Sequence, residues 1–528
     1  VTAEAIATGI DAEGSGHSKT TSWSAGIDDN AIAVQWDVTE SSIASADDVD
    51  NFGDITALSG AASSADSAAI TVGSAGSAES ESNATSKAAS TGIATGGGDD
   101  SVFNTGLINA TSGADAGAVA LTLGAGQSDE DNDDIKIGTK SSAKAVATAT
   151  STGIDTEGDQ SYASNTGDIS ISLSGISVDI ASSKLAAQGD DTVNNSGDMV
   201  LGAIASSDSI DASVTIQAKG GVESDSSAEA KAASAGITTG AGSDAIVNSG
   251  DMLAFTSADA LSIGASITVG EDPGNGDPPK PGDDKTSAKA NSKAEARSVG
   301  IDAEGNAQDS SFEFGLDIDA NGLAIGVHSE TTTLAGDDTV DNSGDINLET
   351  VATSGAGAVG VDIQTGGATA TETESTATAA VTAINTGGGN DAVTSAGNLQ
   401  GASFATSGAV AVSFTQGGEK PKSESKAKST AEGTAAGIMT DGGKATSLHD
   451  FSLTINDSGI AGSYEQRSAA AVGDDDVTSS GSISSAATAT SGTVAASVTI
   501  KGSAKAETET EAKATASGID TGGGIDTV

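Results

Sequence analysis

The sequence predicts an all-β, elongated repeat protein, built either as a β-solenoid or as a fibre of stacked β-hairpins. Three observations carry this expectation. One turn motif recurs at fixed distances along the 528 residues, apolar residues between its copies fall on every second position, and the side chains are small, with 70 glycines and only 12 aromatics. A net charge of -53 with few large apolar residues would by composition suggest disorder. Fixed spacing argues otherwise, because a disordered chain has no physical reason to keep it, and proline is held to 5 residues.

The motif is an acidic turn, an aliphatic residue, Asn-Ser-Gly and a second aliphatic. It is clearest in Gly189-Asp190-Asp191-Thr192-Val193-Asn194-Asn195-Ser196-Gly197-Asp198-Met199 and again from Gly336 to Ile346. Its final glycines are Gly53, Gly106, Gly197, Gly250, Gly344, Gly397 and Gly481, with spacings of 53, 91, 53, 94, 53 and 84. Short and long units therefore alternate. A Gly-Ile pair at Gly9, Gly153, Gly300 and Gly437 marks the larger period and divides the chain into 1–8 (the tail of a preceding repeat), 9–152, 153–299, 300–436 and a partial copy, 437–528. Because both ends fall inside a copy, the chain is expected to be a piece of something longer.

Within each unit, runs such as Val494, Ala496, Val498 and Ile500 alternate strictly, as do Lys505, Glu507, Glu509 and Glu511 with Ala506, Thr508, Thr510 and Ala512. Period two means strand. A helix would spread those alanines around its circumference, so pattern outweighs the helix propensity of Ala, Lys and Glu. The reversals between strands are expected to be exposed tips. All five prolines (Pro273, Pro278, Pro279, Pro281, Pro421) sit in them, where a missing N–H costs nothing.

The long units carry inserts at roughly 10 to 47, 154 to 190, 301 to 337 and 438 to 474, which hold seven of the aromatics and all three histidines. Each insert is expected to be an extra coil or small lobe with a wider core. The competing expectation is a ligand-contacting decoration presenting Trp23, Trp36, Phe312, Phe314 and Tyr464.

A strand pair faced with alanine buries too little area to stand alone at about 25 cal/mol per Å². Stacking coil on coil covers each small apolar face with its neighbours. The Asn residues at Asn51, Asn104, Asn195, Asn248 and Asn342 suit either an amide ladder along the stack or a plain Asn turn.

The Gly-Asp-Asp-Thr-Val-Asn-Asn-Ser-Gly-Asp-Met motif and its copies resemble repeats of parallel β-solenoid regions in large bacterial surface proteins, such as autotransporter passengers and filamentous-haemagglutinin-like adhesins. The resemblance implies secretion, an elongated rod and an adhesive or matrix role without catalysis. Units of 53 and 91 residues exceed the coil of such families, so each unit is expected to hold several coils or a protruding hairpin.

Composition narrows the chemistry. With no cysteine and 3 histidines, the chain lacks the usual material of disulfide frameworks and zinc sites. The excess of 75 acidic over 22 basic residues disfavours nucleic acid and anionic membranes and attracts cations. No apolar run approaches a membrane span. The histidines His17, His328 and His449 fall at non-equivalent places, so no nucleophilic triad is arguable, and the chain is expected not to be an enzyme.

Two features suggest calcium. Thr95-Gly96-Gly97-Gly98-Asp99-Asp100 and Thr239-Gly240-Ala241-Gly242-Ser243-Asp244 are similar to the calcium-binding glycine-rich nonapeptide, with Asp99, Asp100, Asp244, Asp337 and Asp338 as candidate oxygen donors. They stand singly, whereas that mechanism needs consecutive copies, so a glycine-permitted tight turn competes with it. The run containing Asp129, Asp131 and Asp133 opens like an EF-hand loop but has Asp134 where glycine is needed and Lys140 where the bidentate Glu belongs.

The expected function is thus a non-catalytic segment of a large extracellular or cell-surface fibre, stalk or matrix protein. Its expected partner is itself, and calcium is its one candidate cofactor. The alternative is an adhesin that binds glycan or a partner surface through the aromatic-bearing inserts.

Overall fold

A computed structural model describes the chain except residues 13–14, 28–30, 74–75, 127–136, 158–159, 173–174, 188, 217–220, 271–284, 305–306, 320–321, 335, 364–366, 417–420, 441–442, 457–458 and 501. Among the described residues it contains strands and turns and no helix. Its first long strand to return toward the turn is β1 (Thr2–Asp11), and each coil that follows has the same course: a short strand, a long outgoing strand and a long return strand, then either a turn or an inserted hairpin.

The short strands are β4 (Asp48–Asn51), β7 (Ser101–Asn104), β12 (Thr192–Asn195), β15 (Ala245–Asn248), β20 (Thr339–Asn342), β23 (Ala392–Ser395) and β28 (Asp476–Ser479). The outgoing strands are β5 (Ile55–Gly73), β8 (Ile108–Gly126), β13 (Met199–Ile216), β16 (Met252–Val269), β21 (Ile346–Ile363), β24 (Leu399–Gln416) and β29 (Ile483–Ile500). Return strands after β1 are β6 (Gly76–Ala94), β9 (Ile137–Asp155), β14 (Val222–Thr238), β17 (Lys285–Asp302), β22 (Ala368–Asn385), β25 (Lys422–Met439) and β30 (Ser503–Asp520). Each set forms its own parallel sheet, in register, so that Met199 lies on Ile108 and Met252 on Met199.

The chain is a β-solenoid, and the 53-residue unit is one coil rather than several. What lengthens the coil is its strands. Most long strands run 17 to 19 residues, about 60 Å at 3.3 Å per residue. An outgoing strand and its return do not pair as a hairpin; they face each other across two sheets.

Side-chain size follows this geometry. Where outgoing and return sheets lie directly face to face, the filling is alanine, as in Ala116, Ala145, Ala203 and Ala230, each essentially inaccessible. Serine and threonine take most of the remaining inward positions, joined by Asp211 and Asp362, and some of the hydroxyls bond across the gap, as Ser209 does to Ser226 at 2.8 Å and Thr139 to Thr215 at 2.8 Å. At the end closed by the short strands, three walls enclose a wider prism, filled by Ile108, Ile154, Met199, Ile237, Ile246 and Met252. Gly236, of the Gly-Ile landmark, sits at that corner. A Cβ there would lie 2.3 Å from the Gly300 carbonyl oxygen, so only glycine lets the next coil approach.

The Asn ladder forms. Asn51 Nδ2 donates to Asn104 Oδ1 (2.6 Å), Asn104 to Asn195 (2.7 Å), Asn195 to Asn248 (2.7 Å) and Asn248 to Asn342 (2.8 Å), before Ser395 ends the series. Each amide also donates to a glycine carbonyl two residues on, as Asn195 does to Gly197 at 2.8 Å. Ladder and turn chemistry are therefore the same interaction.

The inserts are neither extra coils nor lobes. They are four antiparallel hairpins: β2 (Ser15–Ile27) with β3 (Ala31–Ala44), β10 (Gln160–Ser172) with β11 (Gly175–Ala187), β18 (Ala307–Asp319) with β19 (Gly322–Leu334), and β26 (Gly443–Asn456) with β27 (Gly459–Val472). They join edge to edge into one eight-stranded sheet in that order. Among the described residues, none of these strands comes within 8 Å, Cα to Cα, of the other three sheets. Among its described residues only Gly167 is buried. The hairpin sheet is thus a single layer without a core. Of the five prolines, Pro421 is described, just before β25; the other four lie outside the described residues.

Candidate functional site

Registers in the hairpin sheet align its central positions into a column parallel to the solenoid axis. Trp23 pairs with Trp36, Trp36 with Gly167 and Gly167 with Ile180. The column continues through Phe314, Val327 and Phe451 to Tyr464. Directly opposed residues in an antiparallel sheet share a face. Four of the five nominated contact residues (Trp23, Trp36, Phe314, Tyr464) therefore stand in one line, and Phe312 lies two places along β18 on the same face. Trp23 is 75% exposed and Tyr464 65%. The Trp36 ring covers Gly167, where an added Cβ would meet Cζ2 at 2.0 Å.

The opposite face carries the acids. Columns on either side of the central one hold Asp37, Asp168, Asp179, Glu313, His328 and Asp450, which line a groove of about 910 Å³. That groove is lined by the central column and its immediate neighbours only. It therefore runs on the polar face, with the central backbone as its floor. Within it Gln35 Nε2 donates to Asp168 (3.0 Å), and His328 pairs with Asp450, whose carboxylate raises the imidazole pKa.

Phe451, Ile180 and Val327 were not nominated from sequence. Their signal was there, in the alternation Ile176-Val178-Ile180 and Leu323-Ile325-Val327.

The acidic turns make a second assembly. In the turns without a hairpin, glycines take the left-handed region, Gly96 at φ 80° and Gly240 at φ 82°, which explains the glycine-rich motif. Asp100, Asp244 and Asp338 point inward and join Asp191, Asp391 and Asp475 in a column one coil apart, each buried to within 3%. Their carboxylates accept backbone N–H groups from neighbouring coils: Asp100 N to Asp191 Oδ1 (2.8 Å), Asp191 N to Asp244 (2.8 Å), Asp244 N to Asp338 (2.9 Å). Asp99 and Asp337 stay exposed on the outer edge and accept N–H groups from Asp190 (3.2 Å) and Asn390 (2.8 Å). Asp129, Asp131 and Asp133 lie outside the described residues. Among those described, no three His, Asp or Glu side chains converge as a metal cage.

Burial and stacked like charge push the inner carboxyls up, Asp191 to about 8 and Asp338 to about 9, with Asp244 and Asp391 at about 6. Threonine hydroxyls oppose this. Thr156 donates to Asp191 (2.6 Å) and Thr386 to Asp391 (2.7 Å). Asp338 has no such donor, because Ala303 occupies the equivalent position, its N–H bonding back to the adjoining coil as that of Thr386 does.

Fold and site together define an all-β solenoid repeat protein with a hairpin sheet along one flank. Compared with protein-family models, curated proteins and solved structures, the chain matches none.

Proposed function

We propose that the chain is a non-catalytic structural segment of a large extracellular fibre, stalk or matrix protein, of the kind built by autotransporter passengers and filamentous-haemagglutinin-like adhesins. The observation that supports it is the unbroken register: short, outgoing and return strands each stack as one ladder along a common axis. Such a body gains stability from each added neighbour and transmits tension through backbone hydrogen bonds. Electron microscopy of the purified chain, with calcium and then with chelator, tests this. Uniform elongated particles associating into fibres support it. Compact beads that never associate overturn it, and loss of fibres in chelator would assign the acidic turns a cation.

A second reading, an adhesin for glycan, is favoured by the exposed aromatic column and the groove behind it. Replacing Trp23 and Trp36 by alanine should then abolish retention on a glycan array while leaving the fibre intact.

A further inference from the structure

The aromatic column belongs to a larger surface. Toward the hairpin tips the next column on the same face contains Val34, Ile169, Val178, Leu316, Ile325 and Leu453, aligned by the same pairings. Beyond it, on the four central strands, come Ile171, Ile176, Ile318 and Leu323. None of these side chains is buried. Among the described residues, the nearest Lys, Arg, Asp or Glu side chains on this face are Lys19, Glu40 and Lys184, two columns toward the base, with Lys19 and Glu40 paired at 3.6 Å.

In a chain of net charge -53, the described part of this face from the central column toward the tips is therefore free of acid, while its reverse carries Asp37, Asp168, Asp179, Glu313 and Asp450. At strand spacings near 4.8 Å and about 6.8 Å between columns, the described apolar patch covers roughly 650 Å². That is at or above the upper end for an exposed patch on a monomer, roughly 300–600 Å². Two such patches bury about 1,300 Å² together, within the roughly 1,200–2,000 Å² of a stable interface.

We propose that this face is a self-association surface, on which two copies of the chain pair hairpin sheet to hairpin sheet. Each copy supplies the layer the other lacks, and the pair closes a β-sandwich whose acidic faces point outward. The occupant is a second copy because an uncharged, flat β face complements itself. A charged partner would find no counter-charge there. The reverse faces, both negative, cannot pair in its place. This inference rests on the fibre reading and specifies how fibres join side by side.

The chain has no cysteine, so single substitutions report contacts cleanly. Leu316→Cys stands at the middle of the face, Ser177→Cys on its reverse, and Ile263→Cys on the outward face of β16, which is the rival apolar surface. Mild oxidation should yield disulfide dimers from Leu316→Cys alone. Leu316→Asp should weaken association in sedimentation by about 100-fold or more. Should that variant misfold, the smaller, uncharged cysteine variant, at a position where no packed core depends on it, still decides the matter. A wild-type chain that stays monomeric to about 100 µM overturns the proposal. Equal crosslinking from Ser177→Cys or Ile263→Cys also overturns it, as does capture of the face by neutral lipid vesicles or a glycan in place of self-association. Fibres in micrographs without a Leu316 crosslink sink this inference alone and leave the fibre reading standing.

Discussion

Asn248 shows how much one residue does in a stacked fold. Its amide is inaccessible, donates to Asn342 and to Gly250, and accepts from Asn195, so it joins three coils. Asn248→Ala strands a buried acceptor on Asn342 and should cost about 1–3 kcal/mol in urea unfolding. The inner aspartates make the opposite kind of contribution. Asp338, inaccessible and flanked by Asp244, Asp391 and Asp337, holds its proton up to about 9, whereas an unfolded Asp releases it near 3.9. The folded chain thus binds more protons between these limits, so stability is greatest at low pH and falls as pH rises through the folded values. Among the described residues no cation faces Asp338 to reverse the sign. The melting temperature should be higher at pH 5 than at pH 9, and Asp338→Asn should flatten that slope and stabilise the chain at pH 9. Ala303→Thr, which restores the hydroxyl seen at Thr386, should move the midpoint of the pH dependence downward.

At the scale of the element, the alternation of short and long units has a physical cause. A hairpin is two strands wide, about 9.6 Å, which equals the rise of two coils at about 4.8 Å each. One hairpin per two coils lets the flank sheet keep pace with the solenoid; one per coil would crowd, and one per three would leave gaps. The hairpin is closed at its base by the bond that also closes the five-residue turns: Thr156 reaches Asp191 across 35 residues as Thr386 reaches Asp391 across five. Replacing residues 157–190 by the Gly240–Ser243 turn should therefore leave the solenoid's circular dichroism and melting nearly unchanged while dividing the flank sheet. Loss of the cooperative melt in that variant would show that the hairpins hold the solenoid together.

For the molecule as a whole, the prediction is a diffraction pattern. Oriented fibres should give a strong meridional reflection near 4.8 Å and a weaker one near 9.6 Å from the hairpin on every second coil. The outer face of the return sheet bears ion pairs linking neighbouring coils, such as Lys513 with Glu432 at 2.7 Å and Lys428 with Glu374 at 3.4 Å. Exposed and screened, these add little stability. They do keep that face soluble. The outgoing sheet differs, since Ile204, Leu253 and Phe404 point outward from it at 39% to 51% exposure.

The sequence by itself determined the strands, the repeat and the covered parity of each run, because period-two alternation and a fixed 53-residue step are local properties. It also marked the Asn positions, but left ladder and plain turn open there; the stacked coils decided for both at once. Only the tertiary structure decided that one unit is one coil, since the same alternation serves a hairpin and a face-to-face arch equally well. It likewise decided the fate of the inserts. The Trp23–Trp36 pair, Phe314 and Tyr464 belong to three hairpins far apart in the chain and share no local signal; register across eight strands puts them in one line. Large apolar residues in an insert suggested a filled core, but whether such residues are covered depends on what lies across from them, and nothing in their own segment carries that information.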